Sequence, residues 1–414
     1  MNVHVVKTVP IEFKQVVDAY QKVRHGGKAA GIDGESWNDF DKKLQNNLYV
    51  IWNRLSSGSY FPSPVRETEI AKQDGSMRKL GIPTLRDRIA QEVVKKYMEQ
   101  RIEPIFHNNS YGYRPLRSAK QAIEEVRKNC KTTDWVIDLD ISKFFDEIDH
   151  ELMLKAVAHV IEDKWVSMYV KRWLEMKIVN KDGEEYDRGA KGTPQGGVIS
   201  PLLANLYLHF SLDKWLEQNY GHVKFARYAD DMVLHCQSKH EAEALLEAIK
   251  QRLAEVKLRL NEQKTQIVYC KDYRRKAAHS KVQFGFLGYS FQPRRSSGVS
   301  DKRTSYLAFT AEISKANQQK ITEVIKTAVN WRNTQQDIVE ISGKLNSRVI
   351  GWINYFGLYG KRELRRTMLR LEQRLVKWIK NKYKITSLNE AVRKLSLIKK
   401  DKPWLFNHWQ KGYC

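Results

Sequence analysis

The sequence predicts an α+β fold, with antiparallel hairpins set among helices and a helical C-terminal part. Three observations lead to it. Residues 225–234 place two short strand-forming runs on either side of Asp230-Asp231, the pattern of a β-hairpin with Ala229-Asp230-Asp231 at or near its turn. Residues 69–83 repeat that pattern around Asp74-Gly75. From residue 311 onward the apolar residues recur at helical spacing.

Composition narrows the class. The chain has 414 residues and is 42% hydrophobic, enough for a sizeable core and two or three domains, and too apolar for disorder. No apolar run approaches membrane-spanning length, and Met1-Asn2-Val3-His4 does not open a signal peptide, so a cytosolic protein with no membrane partner is expected. Cys130, Cys236, Cys270 and Cys414 are scattered, which argues against a disulfide framework and a structural zinc site. A formal charge of +24 asks for a polyanionic partner, with nucleic acid the first choice. Residues 361–411 hold 16 Lys/Arg against 4 Asp/Glu, so half the net charge lies in about an eighth of the chain.

In chain order, residues 11–25 read as a helix, with Phe13, Val16, Val17, Tyr20 and Val23 three to four apart. The glycine-rich stretch 26–34 breaks it. It lacks the spacing and flanking strand of a phosphate loop and reads as a connector within reach of a nucleic-acid strand. A second helix, around 44–55, precedes Gly58. The 69–83 hairpin carries cations on both arms, and Lys72 and Arg78 are spaced to reach one phosphate group. A helix over 86–103 stops at Pro104. Ser110-Tyr111-Gly112-Tyr113-Arg114-Pro115 sets Arg114 among aromatics. That suits base stacking with a phosphate clamp, and equally plain packing against the next helix, 118–130.

Residues 135–146 form a second acidic stretch. In a strand, Asp138 and Asp140 share one face while Ile137, Leu139 and Ile141 face the core; alternation alone does not choose between the two acids. This strand is expected beside the 225–234 hairpin, so that three carboxylates converge. Adjacent aspartates repel, and hard divalent cations relieve them: Mg²⁺ prefers carboxylate oxygen and keeps positions open for phosphate.

Residues 150–176 read as helical and 180–183 as a hairpin turn. The small residues of 192–201 would let backbone and Gln195 approach a base pair closely, ahead of an apolar helix over 202–215. A helix over 241–256 follows the acidic hairpin. Lys264 then opens a strand, 266–269, where a lysine near leaving phosphates can donate a proton. Residues 284–289 are an apolar turn segment.

In the helical part, Ile313, Ala316, Ile321, Val324 and Ala328 make one apolar stripe, and residues 349–359 are rich in aromatics. The last long helix has two faces. Leu364, Met368, Leu371, Leu375 and Trp378 form the apolar one; Arg362, Arg366, Arg370, Arg374 and Lys377 form a row of cations with few acids to pair them.

These motifs, in this order, resemble bacterial group II intron-encoded reverse transcriptases, or maturases, over nearly the whole chain. Phe225-Ala226-Arg227-Tyr228-Ala229-Asp230-Asp231 resembles the catalytic Tyr-x-Asp-Asp box. Residues 140–146 resemble the first metal-binding strand, and this selects Asp140 over Asp138. Residues 110–115 and 192–197 are similar to template and nucleotide-pocket motifs, and Phe286-Leu287-Gly288-Tyr289 to a primer grip. Gly351-Trp352-Ile353-Asn354-Tyr355-Phe356 resembles the maturase thumb, which is what marks this branch.

The resemblance implies a right-hand polymerase: an N-terminal extension (1–65), fingers and palm with an antiparallel palm sheet (66–300), a helical thumb or maturase domain (301–360) and a basic DNA-binding segment (361–414). Neither the zinc-containing DNA endonuclease domain of many relatives nor an RNase H domain is expected. The implied reaction is RNA-directed DNA synthesis, with two Mg²⁺ ions, or Mn²⁺ in their place, held by Asp140, Asp230 and Asp231. Lys72, Arg78, Arg114, Phe145 and Gln195 would bind the dNTP, Phe145 excluding a 2′-hydroxyl, and Lys264 would protonate pyrophosphate. The implied partners are an RNA template–DNA primer duplex, group II intron RNA and target DNA. Two other roles fit the same residues: an RNA-binding splicing cofactor first of all, or a reverse transcriptase domesticated for defence or a CRISPR system.

Overall fold

Local signals start and stop most elements where the sequence places them. The structure, a computed structural model, describes residues 9–27, 29–71, 77–297 and 305–414. Helices α1 (Phe13–Arg24), α2 (Trp37–Asp41) and α3 (Leu44–Ser56) lead to strands β1 (Val65–Ala71) and β2 (Met77–Ile82). Thr84 caps α4 (Leu85–Ile102) by accepting from the Asp87 amide, and Pro104 falls in a 3₁₀ turn that ends it. Next come α5 (Ala119–Asn129), β3 (Trp135–Leu139), α6 (Phe144–Glu147), α7 (His150–Val160), α8 (Lys164–Leu174), β4 (Ile178–Val179) and β5 (Glu185–Tyr186).

Helix α9 (Ser200–Leu208) opens into a π-helical turn, His209–Asp213, before α10 (Lys214–Asn219). The hairpin strands β6 (Lys224–Tyr228) and β7 (Asp231–Cys236) precede α11 (Lys239–Glu255), β8 (Gln266–Tyr269) and β9 (Phe284–Phe286). A long ribbon, β10 (Tyr289–Ser297) and β11 (Ser305–Ile313), leads into α12 (Lys315–Thr327), α13 (Ile338–Phe356), α14 (Lys361–Lys382), α15 (Leu388–Asp401) and α16 (Asn407–Gln410). The strands make three sheets, ordered β2-β1-β4-β5, β6-β7-β3-β8 and β11-β10-β9, and the α+β class holds.

Two compact units divide the chain: Met1–Ala122, Leu139–Leu234 and His240–Gln266 form the first, and Ile123–Asp138, His235–Lys239 and Ile267–Cys414 the second. In the first, α4 is buried on several sides. Its Asp87 accepts from the Tyr60 hydroxyl at 2.8 Å and the Thr84 hydroxyl at 2.7 Å, which meets the rule that a buried carboxylate must find donors. The β1–β2 hairpin pairs Thr68 with Leu80; its turn, with Asp74-Gly75, lies outside the described residues.

In the second unit, Leu364, Met368, Leu371, Leu375 and Trp378 of α14 are all buried, as their spacing predicts. Buried Glu372 on the same helix accepts from His408 Nε2 at 2.7 Å and from Trp409 Nε1 at 2.6 Å, which fixes α16 against it. Among the described residues no helix is long and apolar enough to cross a membrane.

Three expectations change. Residues 150–176 are two helices, because the chain extends at 161–163 before Asp163 opens α8. The apolar helix expected over 202–215 runs from Ser200 to Asn219, interrupted by the π-helical turn. The segment from 311 begins as strand: Phe309, Ala311 and Ile313 alternate as the buried face of β11. Helix α12 therefore starts only at Lys315, and its buried stripe is Ile321 and Ile325, continued by Val329 beyond the helix, while Ala316 is exposed.

Candidate active site

The hairpin that carries the paired aspartates turns through Ala229-Asp230, and Asp231 is already the first residue of β7. Ala229 has φ +58°, a left-handed conformation that costs a residue with a Cβ and so needs support. Arg227 supplies it. Its side chain is wholly buried, its Nε donates to Asp213 Oδ1 at 2.8 Å, and its Nη1 donates both to Asn205 Oδ1 at 2.9 Å and to the Ala229 carbonyl at 3.0 Å. Asp213 closes the π-helical turn; one extra residue in that turn shifts the helix face so that its carboxylate meets Arg227. Residues 109–112 run along the outer edge of β6, with the Tyr111 amide on the Arg227 carbonyl at 2.8 Å. Gly112 is required here: a Cβ would stand 2.5 Å from the Ala229 nitrogen.

Asp140 follows the end of β3 and is fixed by the segment before β8. Asn261 donates through Nδ2 to its Oδ2 at 2.9 Å and through its amide to its carbonyl at the same distance. The Asp140 amide donates to the Thr265 hydroxyl at 3.2 Å. Lys264 Nζ stands 4.0 Å from Asp140 Oδ2.

Asp140, Asp230 and Lys264 line one cleft of about 850 Å³, together with Arg78, Phe145 and Gln195. Six of the residues singled out from sequence thus share one cavity. Burial first, and then the charge of Asp140, push the Asp230 carboxyl above its ordinary value, against a backbone hydrogen bond in the turn that lowers it. Such a strained like-charge pair is what a divalent cation relieves, and carboxylate oxygens are the donors Mg²⁺ prefers. The residues therefore fit a metal ion.

The expected convergence of three carboxylates is seen for two. Asp231, half-buried at the start of β7, is not among the residues that line the cleft. Among the described residues no three His, Cys, Asp or Glu side chains gather as a closed metal cage.

Arg78 and Gln195 meet directly, the Arg78 Nε donating to Gln195 Oε1 across 117 positions of sequence. The loop around Gln195 is stitched to β2 by the Gly81 amide on the Gln195 carbonyl at 2.9 Å. Gly196, at φ +124°, passes so near that a Cβ would lie 2.6 Å from the Gly81 oxygen. Phe145 is buried at the cleft wall, and its carbonyl accepts from the Thr193 amide at 2.8 Å. Lys72 lies outside the described residues.

Arg114 is placed differently from the expectation of a nucleotide ligand. It is buried, doubly bonded to Glu103 and bonded at 2.7 Å to the carbonyls of His107 and Ser110. A guanidinium with its donors so committed holds the loop under the hairpin and does not face the cleft.

In the second unit, Arg366, Arg370, Arg374 and Lys377 line a groove of about 890 Å³ between α12 and α14, joined there by Lys315 and Lys326. Arg362 lines an adjoining groove. Of the five stripe cations Arg366 pairs with an acid, Glu363 at 2.5 Å. The others have no ion pair among the described residues.

Sequence reading missed Asn261, Asn205, Asp213 and the supporting role of Arg227. One signal was present: an arginine between Ala226 and Tyr228 in an otherwise apolar strand must find a buried partner.

A strand-end aspartate and a hairpin-turn aspartate face one cleft with Arg78 and Lys264, an arrangement whose chemistry suits nucleotidyl transfer. The family description "Reverse transcriptase (RNA-dependent DNA polymerase)" matches residues 70–291, and "Group II intron, maturase-specific domain" matches residues 318–396. The chain belongs to the reverse transcriptase family, as an RNA-directed DNA polymerase that carries a group II intron maturase domain. It is 34% identical to protein YkfC of Escherichia coli over 66% of this chain and 78% of that one. It is 29% identical to the group II intron-encoded protein LtrA of Lactococcus lactis, over 82% and 68%. The telomerase of Candida albicans, solved with a fragment of telomeric RNA, aligns over 91% of this chain and 67% of that one at 9% identity, with a TM-score of 0.47. Family membership carries a general dependence on divalent metal.

Proposed function

We propose that Asp140 and Asp230, with Asp231 beside them, hold two Mg²⁺ ions at the primer terminus. The observation that supports this is the shared cleft: two carboxylates ninety positions apart in sequence face one cavity, and the charge of Asp140 raises the Asp230 carboxyl. Bound Mg²⁺ would supply the charge that activates the primer 3′-hydroxyl and neutralises the triphosphate. Arg78, oriented by Gln195, binds the triphosphate of the incoming dNTP, with Lys72 as its second cation. Gln195 also lies against the nascent base pair. Phe145 sits under the sugar and excludes a 2′-hydroxyl. Lys264 hands a proton to the departing pyrophosphate. These groups act chiefly by positioning and by charge, which supply most of the rate in phosphoryl transfer.

The partners proposed are an RNA template–DNA primer duplex in the cleft, group II intron RNA on the basic surfaces, and target DNA along 361–414. The proposed domains keep the boundaries 1–65, 66–300, 301–360 and 361–414. The maturase role is favoured by the row Arg366, Arg370, Arg374 and Lys377, which presents cations to phosphates without sequence readout.

One substitution separates the two activities. Asp230→Asn should abolish primer extension on an RNA template while RNA binding and assisted splicing stay near wild type. Loss of both in a protein that keeps its melting temperature would refute the assignment of catalysis to the cleft and RNA binding to the groove.

A further inference from the structure

We propose that the cleft between α5 and the β10–β11 ribbon binds an unpaired stretch of nucleic acid, stacking a base on the edge-to-face pair Tyr273–Tyr306 and meeting its phosphates with Lys131 and Arg274. The cleft has a volume of about 620 Å³, room for a nucleotide and its neighbour's phosphate. Tyr273 and Tyr306 are 53% and 39% exposed, and their rings stand 5.6 Å apart at 81°. At that angle the two rings meet edge to face, so one braces the other and leaves an open π-face that any base can use. The Arg274 guanidinium lies 5.5 Å from the Tyr273 ring, in range of a phosphate on a base stacked there.

The charges are arranged for an anion. Lys131 is exposed and has no ion pair among the described residues. Asp272, the acid of this wall, is consumed by Arg274 at 2.9 Å and Arg275 at 2.6 Å. Arg275 also lines the cleft, is 8% exposed, and keeps a buried Nε with no hydrogen-bond partner. The loop beyond it adds Lys276 and Lys281, both exposed.

The cleft is also the end of a path. It shares Ser296 and Thr310 with the groove that holds Arg295, Lys361 and Arg362, and that groove shares Glu363 and Arg366 with the one between α12 and α14. A strand lying along the α14 cations is thereby led to the tyrosines. Paired bases have both faces covered by their neighbours, so the platform selects unpaired ones. None of these residues lines the Asp140–Asp230 cleft, and the inference does not depend on the metal assignment.

The test preloads the full-length protein with an excess of short template–primer duplex, then titrates in a short fluorescein-labelled oligouridine or oligothymidine. Wild type should bind either one on top of the duplex. Tyr273→Ala with Tyr306→Ala should weaken this binding about tenfold or more, while Tyr273→Phe with Tyr306→Phe stays within about twofold. Lys131→Glu should weaken it and flatten its salt dependence. Tighter binding of the RNA oligomer would assign the site to RNA, and equal binding to single strands of either sugar. An alanine pair that binds like wild type, or a phenylalanine pair as impaired as the alanine pair, would overturn the proposal. Primer extension in saturating duplex should be unchanged in all three variants.

Discussion

Arg227 and Asp213, fourteen residues apart, form a bidentate ion pair with neither side chain exposed to solvent, and the same guanidinium reaches the carbonyl of Ala229 at 3.0 Å. The Ala229-Asp230 turn therefore hangs on a charge pair taken wholly out of water. Such a pair adds little net stability while intact, but removing one member strands the other. Asp213→Asn or Arg227→Met should cost about 3–5 kcal/mol in urea denaturation. Arg227→Lys keeps the charge but loses the fork that spans Asp213, Asn205 and Ala229. It should fold, extend primers at least about tenfold more slowly, and need more Mg²⁺ for half-maximal rate. An Arg227→Lys enzyme with wild-type Mg²⁺ dependence would show that the turn does not need this anchor.

Asn261 orients the other acid. Its Nδ2 is 2.9 Å from Asp140 Oδ2, and no other side-chain donor within hydrogen-bonding distance is seen on that carboxylate among the described residues. Asn261→Ala should lower kcat about tenfold to a hundredfold with little change in KM for dNTP, measured by single-nucleotide extension. A rise in KM at constant kcat would place Asn261 in nucleotide binding instead.

Phe145 forms the cleft wall with a side chain 8% exposed, so its ring has little freedom to move aside. Phe145→Val should raise ribonucleotide incorporation at least about tenfold relative to deoxyribonucleotide, since a cavity opens where a 2′-hydroxyl would clash. Continued exclusion of ribonucleotides by the variant would remove Phe145 from sugar selection.

Glu312 gives the second unit a pH dependence. Burial, with the charge of Glu363 adding to it, pushes its carboxyl up to about 7 despite its ion pair with Arg294. The folded state thus holds this proton more tightly than the unfolded chain does. The resulting stability is complete below about pH 4.5 and is lost as pH rises through 7. Glu312→Gln cannot ionise, so it should gain about 1–2 kcal/mol on wild type between pH 5 and pH 8, read as a growing difference in melting temperature. A difference that stays constant over that range would contradict the shift.

Much of this was legible in the sequence because strong local signals agreed with the fold. The aspartate pair between two strand-forming runs became a hairpin turn, and the spacing of Leu364, Met368, Leu371, Leu375 and Trp378 became the buried face of α14. What escaped depended on distant partners. Nothing near Arg114 announces that Glu103 and two carbonyls will take its guanidinium. Asn261 becomes meaningful only once its segment lies beside Asp140. The β10–β11 ribbon was hidden because Pro293-Arg294-Arg295 interrupts its alternation, although Pro293 keeps its place opposite Phe309.

On the reading proposed above, Asp140 and Asp230 share divalent cations at one polymerase site. It is tested most directly by single-turnover primer extension on an RNA template across a Mg²⁺ titration, comparing wild type with Asp140→Asn. Asp140→Asn should lose at least about a thousandfold in rate, which no Mg²⁺ concentration restores, while it melts like wild type and still binds template–primer. Extension by Asp140→Asn at a rate and Mg²⁺ dependence close to wild type would contradict it.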